Sequence, residues 1–378
     1  MTEQSPVRGI VDISGERGYL RVSGYRRSGG DIALTKNQIR QHGLRRGDLI
    51  EGVAAGGRPP SLLSIDTVNG MSAADARSRP DFDDLTPTYP DKRLRLEDGD
   101  GSPTARLIDL LAPIGKGQRG LIVSPPKAGK TTVLKTIAHA IATAYPEVHL
   151  MLVLVGERPE EVTDLRRHVR GEVIYSTFDQ SPDDHIRVAE LAIERAKRLV
   201  ELGRDVIVLL DSVTRLGRAY NLAAPASSRT LSGGVAASAI QPPRQFLGAA
   251  RNIEDGGSLT IVSTALVDTG SRLDNLLYEE FKGTGNMELW LRRDLADKRI
   301  FPAIDAVASG TRRDDLLMDP AEHAAVIRLR RGLSGLDPQQ AIELLLERTR
   351  GSNADFLRQI AALPRARRGI SAGAEDTG

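Results

Sequence analysis

The sequence predicts an α/β domain with a largely parallel sheet, preceded by a small β-barrel. Three observations carry that reading. Residues 119–131, RGLIVSPPKAGKT, run from an apolar β-segment through a tight Pro/Gly turn into a helical pattern. From about residue 106 strands and helices alternate, the pattern of a parallel sheet. Residues 7–70 instead hold short β segments between Gly-rich turns (VRGIVDI, GYLRVSGY, DIALT, GDLIEGVA and LLSIDTVNG), with one helical piece from Lys36 to His42. Several short strands with little helix suggest a barrel.

Taken in order, 1–70 is the barrel and 71–105, rich in Asp, Pro, Arg and Ser, reads as a linker. Residues 106–363 form the α/β domain. The tail 364–378 reads as disordered. The helix opening at Lys130 carries Val133, Leu134, Ile137, Ala138 and Ile141 at helical spacing and stops near Tyr145-Pro146. The next strand, Leu150 to Val155, is continuously apolar, as expected when both sheet faces are covered. Pro159, Glu160 and Glu161 open a helix that ends on Arg166, Arg167 and His168. That charge order complements the helix dipole, so those basic residues have a structural explanation. A further helix, Ile186 to Leu202, ends at Gly203, and a strand Val206 to Leu210 runs into Asp211.

Composition narrows the class. With 378 residues the chain can bury a large core in two or more domains. It has no Cys, hence no disulfide framework and no Cys-based metal site. No apolar run approaches membrane-spanning length and the N-terminus lacks the apolar core of a signal peptide, so a cytoplasmic protein without a membrane partner is expected. A net charge of +2 does not by itself argue for nucleic acid, and 4% aromatics limits stacking platforms to a few positions.

The chemistry begins at the turn before Lys130. Backbone amides and the start of a helix dipole suit a polyphosphate, Lys130 supplies a cation, and Thr131 offers a hydroxyl to Mg²⁺. Ser124 stands where the strict P-loop pattern has Gly. Asp211, at a strand's C-terminal end, can reach the metal of a nucleotide held next door; Glu157, ending LMLVLVG, can orient or deprotonate water. Alone, either acid reads as a solvated strand end or an N-cap, and other strand-end carboxylates exist, so chemistry alone does not select Glu157. With the P-loop they form a set.

Longer stretches add a resemblance. GLIVSPPKAGKT, GERPEEVTDLRR, STFDQSPDDH, LLDSVTRLGRAYN, LSGGVAASA, ARNIEDGGSLTIVSTALVDTGSRLDN, YEEFKGTGNMEL and KRIFPAIDAVASGTRRDDLL, in that order, resemble the Rho family of bacterial transcription termination factors, from about residue 80 to 350. The family consists of hexameric, RNA-dependent ATPases of the RecA-like class with an OB-fold barrel. The resemblance implies an ATP site of Lys127, Ala128, Gly129, Lys130, Thr131 and Thr132, with Gly115, Lys116, Gly117, Gln118, Arg119, Gly120 and Arg158 nearby and Phe301 stacking on adenine. It implies Glu157 as activator of water, Thr131 and Asp211 serving Mg²⁺ through ATP, and Arg312 as an arginine finger entering the neighbouring subunit, assisted by Arg299. It further implies that single-stranded RNA, RNA polymerase elongation complexes and elongation factors are partners.

RNA contacts follow from the same resemblance. Arg229, Thr230, Leu231, Ser232, Gly233 and Gly234 match one central loop of the ring; Gly270, Ser271 and Arg272, after Thr269, match the other. The barrel is similar more weakly. Arg17, Tyr19, Arg21, Asp31 and Arg58 are its primary-site candidates, but Arg17, Ala33 and Pro59 occupy positions where aromatics are expected. Binding by charge through Arg17, Arg21, Arg26, Arg27 and Arg58, with little base preference, is therefore expected. Gly156 stands where the family has Asp, as it does in catalytic subunits of rotary ATP synthases, and reduced sensitivity to the inhibitor bicyclomycin is expected from the lost carboxylate. Two alternatives stay open: a paralogue that binds RNA and nucleotide without translocating, and an ATPase of a rotary or export motor.

Overall fold

The computed structural model describes residues 4–15, 17–57, 60–225, 230–231, 234–349 and 351–362. Strands β1 (Gln4–Ser14), β2 (Arg17–Arg21), β3 (Ile32–Leu34), β4 (Leu49–Ala55) and β5 (Ser61–Val68) close into a barrel in the order β1-β2-β3-β5-β4. Alternation sends Val11, Leu20, Ile50 and Val68 into its core. Helix α1 (Lys36–Gln41) starts at a capping box made by Thr35 and Gln38.

The α/β domain is organised on one sheet. Strands β6 (Arg119–Ser124), β7 (His149–Glu157), β8 (Glu172–Thr177), β9 (Asp205–Asp211), β10 (Ser258–Leu266), β11 (Met287–Trp290) and β12 (Gly310–Thr311) lie in the order β8-β7-β9-β10-β6-β11-β12. All pairings along that path are parallel except that of β12 with β11. In β7, Leu150, Leu152 and Leu154 enter one core while Met151, Val153 and Val155 enter the core on the opposite face. That two-sided burial is why this strand reads as an unbroken apolar run. Helices α2 (Lys130–Ala144), α3 (Pro159–His168), α4 (Pro182–Val200), α5 (Val213–Ala223), α6 (Arg272–Lys282) and α7 (Pro320–Leu333) cover the sheet. Helix α4 begins a turn earlier than its apolar periodicity suggests, because Ser181 caps the Asp184 N–H.

Residues 71–105 are not the bare linker expected. Phe82, Leu94 and Leu96 are buried in the cores of the α/β domain. Arg79 reaches Asp48 of the barrel at 2.7 Å and Glu201 of the α/β domain at 3.4 Å. Charged residues gave the segment its linker-like composition, and several of them are spent in buried ion pairs. The helix Pro103–Leu111 likewise starts before residue 106.

Within that helix Asp109 is buried and accepts hydrogen bonds from the N–H groups of Leu96 (3.2 Å) and Glu97 (2.9 Å). Burial pushes its carboxyl up to about 6, against the pull of Arg93 and those two N–H groups. An unfolded Asp titrates near ~3.9. The folded chain therefore holds the extra proton between those values, and this group's contribution to stability falls as pH rises through that window. Asp109→Asn is expected to reduce the stability gained on going from pH 7 to pH 5 by on the order of 1 kcal/mol. Urea midpoints at the two pH values measure it; an unchanged difference would contradict the raised carboxyl.

Candidate nucleotide and RNA sites

Strand β6 delivers the P-loop. Leu121, Ile122 and Val123 are buried, Ser124 is buried with its hydroxyl donating to the Pro125 carbonyl at 2.8 Å, and the chain turns through Lys127 and Gly129, both at positive φ. Helix α2 then starts with no side-chain cap and no acidic residue in its first turn. The neighbouring helices α4 and α5 are capped by Ser181 and Ser212. The start of α2 thus leaves its N–H donors and positive dipole end to an incoming anion.

The ends of β7 and β9 bring the acids to this point. The Lys130 ammonium is hydrogen-bonded to Asp211 and lies 3.3 Å from Glu157 Oε1. Both carboxylates are almost fully buried. Thr264, on β10, donates to Asp211 Oδ1 at 2.7 Å. Arg215, on the first turn of α5, lies 2.9 Å from Glu157 Oε1 and also donates to the Gly156 carbonyl. Two acids and two cations therefore form one compensated cluster. Arg215 was missed in the sequence, although its position four residues after Asp211, in DSVTR, was a usable signal. Glu161, on α3, is pushed up by burial and then by the charge of Glu157, which marks how tightly negative charge is packed here. Arg158 points out to solvent and pairs with Glu161 at 3.6 Å.

Gly156 explains the local geometry of β7. Its φ is +64°, and the pairing of β7 with β8 slips there, between Val155 and Glu157. A Cβ at this position would meet Arg215 Cδ at 3.5 Å and His185 Nε2 at 3.8 Å, ordinary contacts. The backbone favours Gly, but the space admits a side chain.

Beside the P-loop, Phe301 is 49% exposed. With Pro103, Thr104, Ala128, Gly129, Thr132 and Val133 it lines a largely apolar cleft of about 340 Å³ that can take a planar base. Arg299, at positive φ, is exposed at this same end.

Two groups are not brought to this end of the sheet. Gly115, Lys116, Gly117, Gln118, Arg119 and Gly120 lie before or at the start of β6, about 17 Å of strand from the P-loop. Gly117 has φ +90°, and a Cβ on it would sit 2.3 Å from the Asn252 nitrogen. Gln118 donates to Asn286 Oδ1 at 2.6 Å, and Lys116 pairs with Asp205. Packing accounts for these residues, so within one chain they do not contact a nucleotide held by Lys130. Arg312 is at the same far end. Its N–H donates to the Asn286 carbonyl at 2.8 Å, because β12 runs antiparallel to β11. Arg299 and Arg312 therefore do not act together within one chain. Arg312 is exposed, and among the described residues no carboxylate pairs with its side chain. Burial, then the charges of Arg251 and Arg312, pull Arg119 below the ordinary guanidinium range. Arg119, Arg251 and Arg312 are thus crowded together at this edge.

Of the central-loop candidates, Arg229, Ser232 and Gly233 lie outside the described residues. Thr230–Leu231 pairs with Val235–Ala236 as a short hairpin, and Gly234 has φ +79°. Asn221, near the end of α5, holds the hairpin: its amide donates to the Gly234 carbonyl at 3.3 Å and its oxygen accepts from the Ala236 N–H at 2.7 Å. Helix α5 thus carries Arg215 at one end and the hairpin's anchor at the other. Gly270 is at positive φ, Ser271 caps α6 through the Asp274 N–H, and Arg272 is exposed.

On the barrel, Arg21 is not a free phosphate partner. It is 5% exposed, bonded to Asp12 (2.6 Å) and Asp31 (2.6 Å), and lies over the Tyr19 ring at 5.0 Å. Two carboxylates neutralise its charge, and Asp31 is engaged by the same contact. Arg17 is exposed and Tyr19 half-buried; Arg58 lies outside the described residues.

Comparison with known proteins follows these geometries. A model of the ATP synthase alpha/beta family, nucleotide-binding domain, matches residues 104–311, and one of the Rho termination factor, RNA-binding domain, matches residues 7–74. The chain is 60% identical over 367 residues to transcription termination factor Rho of Streptomyces lividans, covering 94% of this chain and 52% of that one. It is 57% identical to the Mycobacterium bovis protein of the same name, with coverages of 94% and 61%. For that of Streptosporangium roseum the identity is 59%, with coverages of 94% and 92%. The chain thus spans 52–61% of the length of the first two relatives. Among solved structures, an ATPase from the type III secretion system of pathogenic bacteria superposes with a TM-score of 0.62 at 22% identity, covering 74% of this chain and 88% of that one. An ATP synthase subunit from Nanoarcheaum equitans gives 0.60 at 17%, covering 74% and 81%. At those identities the likeness is one of fold.

Proposed function

Because the chain belongs to the transcription termination factor Rho family, we propose that it is an RNA-dependent ATPase that assembles as a hexameric ring. The ring moves 5′ to 3′ along nascent single-stranded RNA, releases it from RNA polymerase and unwinds RNA–DNA hybrids. The observation that carries this reading is the division of one catalytic set between two ends of the sheet. Lys130, Glu157 and Asp211 lie at one end and Arg312, which has no carboxylate partner among the described residues, at the other. A finger that cannot reach its own P-loop acts in a neighbour's, which requires an assembly.

The chain's own residues supply the steps. The amides of Gly129 to Thr132 and the Lys130 ammonium take up the phosphates, and Phe301 with the neighbouring cleft holds the base. As phosphates draw Lys130 away from the acids, Arg215 keeps Glu157 oriented, and Glu157 positions the attacking water. Arg312 of the adjacent subunit meets the charge that develops on the transferred phosphoryl group. Thr131 and Asp211 would hold Mg²⁺: Asp211 keeps one oxygen without a protein partner among the described residues. The metal would neutralise phosphate charge. No helix among the described residues is long and apolar enough to cross a membrane, and action on nascent RNA implies the cytoplasm.

The test is steady-state ATP hydrolysis without RNA and with poly(C), poly(U) or poly(A) at two salt concentrations. RNA stimulation of turnover is expected, with little base preference and a steep loss on raising salt. RNA binding without stimulation would favour the second reading, a ring that grips RNA without moving, which the thin aromatic face of the barrel supports. Gly156→Asp is expected to raise sensitivity to bicyclomycin, since Asp tolerates positive φ and would lie beside Arg215 and His185. An inhibitor titration of RNA-stimulated turnover with unchanged midpoint would contradict this.

A further inference from the structure

Outside the sites described so far, a cavity lined mainly by cations lies between the barrel and the α/β domain. It holds about 400 Å³ between the barrel loop 23–28 and the start of α4. Arg26, Arg27 and Arg187 line it, opposed by a single carboxylate in the lining, Asp184, which pairs with Arg187 at 3.2 Å. Among the described residues Arg27 has no carboxylate partner. Burial, then the charge of Arg27, pull Arg187 below the ordinary guanidinium range, against the opposite pull of Asp184. The cleft is short of negative charge.

Its walls are fixed from both domains. The Tyr25 hydroxyl donates to Glu172 at 2.6 Å, and Glu172 also meets His149 at 2.9 Å. Arg26 lies over the ring of Tyr175, a β8 residue, at 4.6 Å. At the barrel end Ser28 bonds Asp31 through its N–H (3.0 Å) and hydroxyl (2.8 Å), and that is the carboxylate that holds Arg21. The cleft therefore begins where the barrel's candidate RNA face ends. It offers no stacking platform: Tyr25 is buried with its hydroxyl engaged, and Arg26 covers Tyr175. Guanidinium groups short of anions suit phosphate oxygens, and contacts to phosphate carry no sequence information.

We propose that this cleft is a composite phosphodiester site, built by Arg26 and Arg27 of the barrel with Arg187 of the α/β domain, which holds the backbone of an RNA strand leaving the barrel. The proposal rests on the RNA-dependent reading above. It extends the RNA track onto the α/β domain and makes that stretch independent of sequence.

The experiment compares a 12-nucleotide and a 4-nucleotide RNA, the latter too short to leave the barrel face, binding to the full chain by fluorescence anisotropy across a salt series. For Arg27→Ala/Arg187→Ala, affinity for the 12-mer is expected to fall roughly tenfold at 0.1 M salt. The slope of log K against log salt should become shallower by about 1.4, or ~0.7 for each lost phosphate contact. With Arg187→Ala alone, which alters only the α/β-domain half of the cleft, binding of the 4-mer should be unchanged, and Arg27→Lys/Arg187→Lys should recover most of the slope lost by the double alanine variant. Thermal unfolding of each variant establishes that it is folded. Unchanged 12-mer binding and slope would overturn the proposal, as would an equal loss for both RNAs, which would assign the arginines to the barrel face. A cleft that inorganic phosphate occupies without weakening 12-mer binding would be a small-anion site and would overturn it too. If the unaltered chain bound neither RNA, the RNA-dependent reading itself would fall.

Discussion

Arg312→Ala is expected to lower ATP turnover by on the order of 10³-fold or more while nucleotide affinity changes little. The guanidinium is at the opposite end of β6 from the P-loop of its own chain, so removing it leaves the phosphate and base contacts intact. A sharper version uses two inactive chains. Lys130→Ala lacks the cation of the P-loop but keeps a finger; Arg312→Ala has the reverse defect. When the two are co-expressed in equal amounts, about a quarter of the interfaces in a head-to-tail ring pair an intact P-loop with an intact finger. Turnover should reappear in the mixture at a level neither chain shows alone. No recovery in verified mixed rings would remove Arg312 from the neighbour's site.

Glu157→Gln is expected to cost turnover by roughly 10²- to 10⁴-fold, the range for removing a group that moves a proton at the reacting centre. Its surroundings argue for a specific role. Glu157 is buried, oriented by Arg215 at 2.9 Å and approached by Lys130 at 3.3 Å, and Gln would keep the shape while losing the charge. Nucleotide binding, followed with a fluorescent analogue, should persist or tighten, because one negative charge near the phosphates is gone. Loss of binding in parallel with turnover would indicate that Glu157 serves only to hold the cluster together.

Local signals made much of this site readable in the sequence. The P-loop is a contiguous strand, turn and helix start, and Glu157 and Asp211 each end an apolar run, so their places at the sheet's C-terminal edge follow from the pattern itself. What depended on pairing across the chain was not readable. That Arg312 and Gly115 to Gly120 share the far edge follows only from β12 running antiparallel to β11 and from β6 separating its two ends. Arg21 looked free because its two acids, nine residues before it and ten after, approach only when the barrel closes. Residues 71–105 looked like a linker because composition does not distinguish a solvated charge from Arg79 buried between Asp48 and Glu201. Arg215 was readable in principle, since a residue one helical turn beyond a strand-end acid returns to that strand's edge.

The separation of the P-loop and Arg312 to opposite edges also bears on direction. Contacts that join unlike edges cannot be self-complementary, so each chain in a closed ring faces the same way round and the two faces of the ring are chemically different. RNA has its own chemical sense, from 5′ to 3′. A strand passing through such a ring has two inequivalent ways to lie in it. In the proposed ring the polarity of movement would follow from that asymmetry, and substitutions in the RNA-facing loops should change the grip or speed of the ring without reversing its course.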